Sequence, residues 1–155
     1  MVHRRRRGTA IVDTPNGILV VNEGERTYYL PGGGARRGES RRSAAIRELL
    51  EETGLRVTKC SYLFDYTSYY NFHKVFLIEA TGVAKPRREI KHLAYFKGSN
   101  VKVSDTTRRI IEIYLGKKNG NLVEVRCSHC GGTINIADPS IPVKCDYCGI
   151  TFVKS

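Results

Sequence analysis

Glu48, Glu51 and Glu52 stand at i, i+3 and i+4 of a segment with helical periodicity, so their carboxylates share one face. Like charges that close repel and cost helix stability. In a chain with 26 Lys+Arg against 15 Asp+Glu, such a concentration of acid calls for a counter-charge. A hard divalent cation supplies one: Mg2+ prefers carboxylate oxygens, keeps several waters and is completed by substrate phosphates. Arg47 can reach Glu51 at i+4 and hold one carboxylate in place. The competing reading of the same string is a solvated helix face crossed by i,i+4 ion pairs.

A second set of chemical residues lies near the end of the chain. Cys127-x2-Cys130, fourteen residues, and Cys145-x2-Cys148 form two knuckles whose thiolates can close on one ion. Two such knuckles complete a tetrahedral, structural Zn2+ site with no open position for catalysis. The alternative for four cysteines so spaced is an iron–sulfur or redox centre. His129, inside the first knuckle, is expected outside the ligand set, and Cys60 is expected in the core. Free thiolates fit a reducing, intracellular compartment, hence a cytoplasmic protein.

These residues need elements to carry them. Residues 8–13 and 17–22 are apolar runs around Thr14-Pro15-Asn16-Gly17, which reads as a β-hairpin. Tyr28-Tyr29-Leu30 reads as a strand that enters a tight turn at Pro31-Gly32-Gly33-Gly34. Residues 40–53 form the acidic helix, with Ala44, Ala45, Leu49 and either Ile46 or Leu50 inward, ended by Gly54. Strands follow over 56–66, 73–81 and 90–96. Ser104-Asp105 caps a helix over 105–116 with Ile110, Ile111, Ile113, Tyr114 and Leu115 as its apolar face. The class is mixed α/β.

Read from Gly33, the chain shows five residues, Glu39, seven residues, Arg47-Glu48-Leu49, one residue, Glu51-Glu52, one residue, Gly54-Leu55. This fills every fixed position of the Nudix box, GX5EX7REUXEEXGU with U aliphatic, and Leu30-Pro31-Gly32-Gly33 resembles the strand end that precedes it. The chain therefore resembles a Nudix hydrolase over about residues 4–118. The resemblance implies the Nudix fold, an α/β/α sandwich around a mixed sheet. It also implies Glu48, Glu51, Glu52 and the Gly32 carbonyl as ligands of a catalytic Mg2+ or Mn2+. Arg47 would orient a glutamate, Glu39 would support the site, and Glu52 would serve as ligand or general base. A loop acid is the other source of the base in this family. Glu89, ahead of the 90–96 strand, is either that acid or a solvated partner of Arg87 or Arg88. The implied reaction is water attack on a phosphoanhydride of a nucleoside diphosphate linked to another group. The cysteine segment resembles a zinc ribbon, so the expected organisation is 1–118 catalytic, 119–121 linker and 122–155 ribbon.

The linked group leaves fainter signs. Tyr69 and Tyr70 lie fourteen and fifteen residues beyond Leu55. In this family a tyrosine there accompanies dinucleoside polyphosphates, whereas a proline accompanies ADP-ribose. No proline occurs between Pro31 and Pro86. The two tyrosines stack on a nucleobase or simply cover the sheet. Arg36, Arg37, Arg41 and Arg42 bracket Glu39 and would favour a long polyphosphate or an RNA 5′ end, or form a solvated basic loop. The leaning is toward a dinucleoside polyphosphate or nucleoside triphosphate. The alternatives are a hydrolase of capped or triphosphorylated RNA ends, and a non-catalytic RNA-binding protein on the same scaffold.

Charge sharpens this division. The formal net charge of +11 belongs to residues 1–121, which hold 23 Lys+Arg and 12 Asp+Glu, while 122–155 hold three of each. Four thiolates and one Zn2+ would make the tail mildly acidic, which suits docking to protein better than to phosphates. Arg4 to Arg7 are a nucleic-acid arm or merely solvated charges. No apolar run approaches the roughly 18–20 residues of a membrane span. Oligomeric state has no signature in the sequence.

Overall fold

From Arg5 to Ile11 the chain passes from exposed arginines to buried Thr9, Ala10 and Ile11, and this run is strand β1 (Arg5–Ile11). In the computed structural model the described residues are 3–120, 123–136 and 142–152. Residue 121 of the expected linker and residues 122, 137–141 and 153–155 of the expected ribbon lie outside them. Two compact units divide the polypeptide, Met1–Arg108 and Arg109–Ser155.

In the first unit the expected hairpin forms, but its turn is Pro15-Asn16 with Gly17 already paired to Thr14, and it joins only β2 (Asp13–Thr14) to β3 (Gly17–Asn22). The rest of the expected first hairpin strand belongs to another sheet. Past Val12 the chain changes direction, so Ala10 and Ile11 pair in parallel with Phe76 and Leu77 of β6 (Asn71–Thr81). The resulting mixed sheet has the order β4-β1-β6-β5, where β4 is Gly32–Gly34 and β5 is Arg56–Thr67. A second, antiparallel sheet runs β2-β3-β7, with β7 at His92–Phe96.

Two expectations change here. Tyr28-Tyr29-Leu30 is not a strand, and it makes only isolated bridges, Val21 to Tyr29 and Tyr28 to Val103. The glycines after Pro31 are strand and not turn, antiparallel to β1 with Gly32 opposite Thr9. Missing side chains explain this close approach. Gly32 has φ 147°, where a Cβ would run into the Gly8 carbonyl, and a Cβ on Gly33 would overlap the Glu48 carboxyl.

Helix α1 (Arg41–Thr53) begins where Ser40 Oγ accepts the Ser43 N–H, and ends at Gly54, whose φ of 76° turns the chain away. Ala44, Ala45 and Leu49 are buried as expected. Ile46 packs at the core margin, whereas Leu50 is exposed. Ala45 and Leu49 join Ala10, Leu19, Phe76 and Ile78 in one apolar cluster. Gly8 lets the Arg41 carbonyl rest directly on β1.

Helix α2 (Asp105–Lys118) contains the division between the units and is capped by Ser104 Oγ, which accepts the Thr107 N–H at 3.1 Å. Ile110, Ile111, Ile113 and Tyr114 are buried, but Leu115 is exposed. The second unit adds two small hairpins, β8 (Val123–Arg126) with β9 (Thr133–Ile136) and β10 (Val143–Lys144) with β11 (Thr151–Phe152). Val125, Ile134, Ile136, Cys127 and Cys145 form its core. Among the described residues no helix is long and apolar enough to cross a membrane.

Candidate active site

Arg47 organises the acidic face of α1. Its guanidinium forks onto Glu39, with Nε donating to Oε2 and Nη2 to Oε1, both at 2.9 Å. Nη1 donates to Glu48 Oε1 at 2.8 Å and to Glu51 Oε2 at 3.3 Å, and Nη2 also reaches the Gly34 carbonyl at 3.3 Å. One planar cation thus spaces three carboxylates that would otherwise repel. The Arg47 fork, aided by the Arg36 N–H, draws the Glu39 carboxyl down to about 2. In return, Glu39 first and then Glu48 strengthen Arg47's hold on its own proton.

Glu52 lies on the inward side of the same helix and is only 5% exposed. Burial pushes its carboxyl up to about 8; Glu48 pushes the same way, while Arg7 and the Gly32 N–H oppose. Among the described residues its Oε2 is buried with no hydrogen-bond partner. A buried, unpaired acceptor costs about 1–3 kcal/mol unless a donor or cation reaches it. Arg7 was not singled out from the sequence as a site residue. It is one of four consecutive arginines, but alternation along β1 turns it inward, where its Nη2 donates to the Leu30 carbonyl at 3.2 Å. Its signal was its place two residues before buried Thr9.

The loop after β6 folds back on the end of α1. Lys85 N–H donates to the Thr53 carbonyl and Arg87 N–H to the Glu52 carbonyl, each at 3.0 Å. Arg88 sits at φ 54°, unusual for a residue with a Cβ. Ligand oxygens of Glu48, Glu52 and Glu89 thereby lie within 4.8 Å of one another. Glu51 is turned to cations instead, with Oε1 at 4.0 Å from Arg36 and 3.8 Å from Arg88.

This all-oxygen donor set, with an orphaned buried oxygen in it, fits Mg2+ or Mn2+. Arg36 and Arg37 are exposed, and Arg36 also donates its N–H to Glu39 at 3.0 Å. Tyr69 and Tyr70 meet edge-to-face, ring centroids 4.8 Å apart, in the β5–β6 turn. Thr9 is opposite both Gly32 and Val75. Five residues of strand, roughly 17 Å, separate Val75 from Tyr70.

In the second unit, Cys127, Cys130, Cys145 and Cys148 bring their sulfurs within 4.8 Å of one another. Sγ–Sγ distances are 3.8 Å for Cys127–Cys148 and 3.6 Å for Cys130–Cys145. A tetrahedral zinc with bonds of about 2.3 Å requires about 3.8 Å between sulfurs, so the residues fit that ion. The Gly132 N–H donates to Cys130 Sγ and the Tyr147 N–H to Cys145 Sγ, each at 3.4 Å, as thiolates require. Backbone N–H groups of Cys130 and His129 pull the Cys127 thiol down to about 7, whereas burial pushes Cys145 up to about 12. Arg109 Nε lies 3.4 Å from Asp146 beside the second knuckle.

The sequence model of the NUDIX domain matches residues 2–118. A solved structure from Chromobacterium violaceum, assigned to the nudix hydrolase family, is 42% identical with a TM-score of 0.71. That likeness covers 76% of this chain and 80% of the other. The fold is shared with a MutT NUDIX hydrolase from Burkholderia pseudomallei (20% identity, TM-score 0.62, 71% and 97% covered). It is shared too with an ADP-ribose pyrophosphatase from Streptococcus suis (18%, 0.64, 82% and 96%). No curated protein matches the chain.

Proposed function

The chain belongs to the NUDIX family and is a hydrolase of phosphoanhydride bonds, and on that premise we propose that it cleaves a dinucleoside polyphosphate or nucleoside triphosphate with Mg2+ or Mn2+. The observation that carries the reading is the Glu48–Glu52–Glu89 cluster, with the unpartnered buried Glu52 oxygen inside it. Glu48 and Glu52 would hold the metal, joined by the Gly32 carbonyl and by Glu51 once its carboxylate leaves Arg36 and Arg88. When bound, it supplies Lewis acidity toward the phosphoryl oxygens and lowers the pKa of the attacking water. Glu52 or Glu89 accepts the proton of that water. Arg47 keeps Glu48 and Glu51 apart and aimed, and Glu39 fixes Arg47 in turn. Arg36 and Arg37 bind the outer phosphates; Tyr69 and Tyr70 are the proposed base contacts.

Hydrolysis of capped or triphosphorylated RNA 5′ ends is the second reading, favoured by exposed Arg36 beside Glu51. The second unit carries a structural Zn2+ on its four cysteines. We take residues 1–118 as the catalytic domain, 119–121 as the linker and 122–155 as the ribbon, in a cytoplasmic protein.

A panel of dinucleoside polyphosphates, nucleoside triphosphates and triphosphorylated RNA, assayed with and without Mg2+ or Mn2+, tests the proposal. Metal-dependent release of phosphate or nucleotide is expected, lost in Glu52→Gln. No product from any substrate would sink it, and preference for the RNA end would select the second reading.

A further inference from the structure

The four arginines Arg4 to Arg7, the last three of which open β1, do not act together. Arg5, Arg6 and Arg7 lie opposite Asn71, Phe72 and His73 of the parallel strand β6. Side chains alternate across a strand, so Arg7 goes to the carboxylates and Arg6 to the other side with Phe72 and Lys74. Farther along, Ala10, Phe76 and Ile78 on that side are covered by Ala45 and Leu49 of α1. Beyond the first turn of α1, aromatic rings are left in the open: Phe72 is 43% exposed and Tyr62 52%.

Each open ring carries a cation. The Arg4 guanidinium lies 5.7 Å from the Phe72 centroid and Lys74 Nζ 5.1 Å from that of Tyr62. Arg41 Nη1 donates to the Phe72 carbonyl at 3.4 Å. Arg6, Arg41, Asp65, Thr67, Phe72 and His73 line a cleft of about 320 Å3 there. Asp65 is the carboxylate in it, and it accepts a hydrogen bond from the Tyr62 hydroxyl at 3.1 Å. Arg4, Arg6, Arg41 and Lys74 therefore outweigh one acid.

We propose that this surface binds an unpaired nucleic-acid strand, with bases stacked on Phe72 and Tyr62 and phosphates held by Arg4, Arg6, Arg41 and Lys74. Every nucleobase offers a π-face, so stacking tolerates any sequence, and a cation at each ring stands where the adjoining phosphate passes. Alternating rings and cations suit a polymer whose bases and charges alternate. A duplex hides its base faces, and a lipid headgroup has none to offer. The surface is distinct from the carboxylate cluster and does not depend on the hydrolase reading.

The test is fluorescence anisotropy of the full chain with a 12-nucleotide single-stranded RNA bearing a 5′-hydroxyl, in Mg2+-free buffer. Such a probe has no phosphoanhydride to hydrolyse. Binding should weaken with salt, with a log–log slope of about −2 to −3 for three or four neutralised phosphates. Phe72→Ala should weaken it about tenfold, and R6E/R41E should abolish it. Tyr62→Ala is a second stacking variant, and melting curves confirm that each variant folds. A DNA 12-mer that binds equally supports the same base-and-phosphate recognition. No binding, a flat response to all these substitutions, equal affinity for the duplex, or tighter binding to anionic vesicles overturns the proposal. Mg2+-dependent hydrolysis of whichever small nucleotide of the panel is cleaved should stay within about twofold in Phe72→Ala, which separates this surface from the hydrolase reading.

Discussion

Burial lifts the Glu52 carboxyl to about 8, whereas an unfolded glutamate titrates near 4.5. With the folded value raised, Glu52's favourable contribution is full below about 4.5 and is lost as pH rises through about 8. The metal-free protein should therefore lose stability through this group between pH 5 and 8. Added Mg2+ should raise Tm more at pH 8 than at pH 5, and Glu52→Gln should remove that difference. The same substitution should lower kcat by about 10²- to 10⁴-fold if Glu52 moves the proton. A metal-independent Tm across this range would contradict the assignment. His73 behaves oppositely. Burial, then Arg7, hold its imidazole down to about 3, with Thr9 Oγ1 and Ser68 Oγ on its two nitrogens at 2.8 and 3.0 Å. Its contribution is full above about 6.5 and falls away as pH drops toward 3. Denaturant midpoints at pH 7 and pH 4.5 should differ less in His73→Gln than in the parent chain.

At the scale of elements, α1 is a helix whose ends were readable and whose neighbours were not. Gly54 ends the helix as expected, whereas Ser40, expected as its first residue, is instead its N-cap. Ser40→Ala and Gly54→Ala should each cost about 1 kcal/mol, the first by losing an N-cap and the second by forcing a Cβ into positive φ. In a domain of about 100 residues that lowers Tm by roughly 4–8 °C. Gly33→Ala should act differently, because its Cβ would displace the Glu48 carboxyl. Hydrolysis should fall further than stability, as kcat measured beside a melt would show. The sequence misled at Pro31–Gly34, where glycines resemble a turn but serve as a strand. Turn residues and close-packed strand residues look alike when the reason for lacking a Cβ is a partner distant in sequence. The same blindness applied to β1, because parallel pairing with β6 joins residues more than sixty positions apart.

At the scale of the molecule, charge and cysteine divide along the chain. The excess of +11 lies before residue 122, and four of the five cysteines after it. Two of the four clustered cysteines, Cys127 and Cys145, belong to the second unit's small core, so metal should be inseparable from its order. Elemental analysis should find about one zinc per chain, and Cys145→Ser should lose both the zinc and the protection of Val125 and Ile134 from amide exchange. Retention of that protection without zinc would refute the structural role.

Motifs held in one stretch of chain were legible from the sequence: the acidic turn of α1 with its arginine, the helix ends, and the cysteine knuckles. Their chemistry depends on spacings of three or four residues, which helix and knuckle geometry convert directly into distance. Tertiary structure alone decided which distant groups join them. It seated Glu89 beside Glu48 and Glu52, turned Arg7 toward them and Arg6 away, and left Phe72 uncovered. Those outcomes follow from strand register and from a loop hydrogen-bonded to the end of α1. A shift of one residue in register would reverse every one of β1's side chains, and no local spacing encodes it.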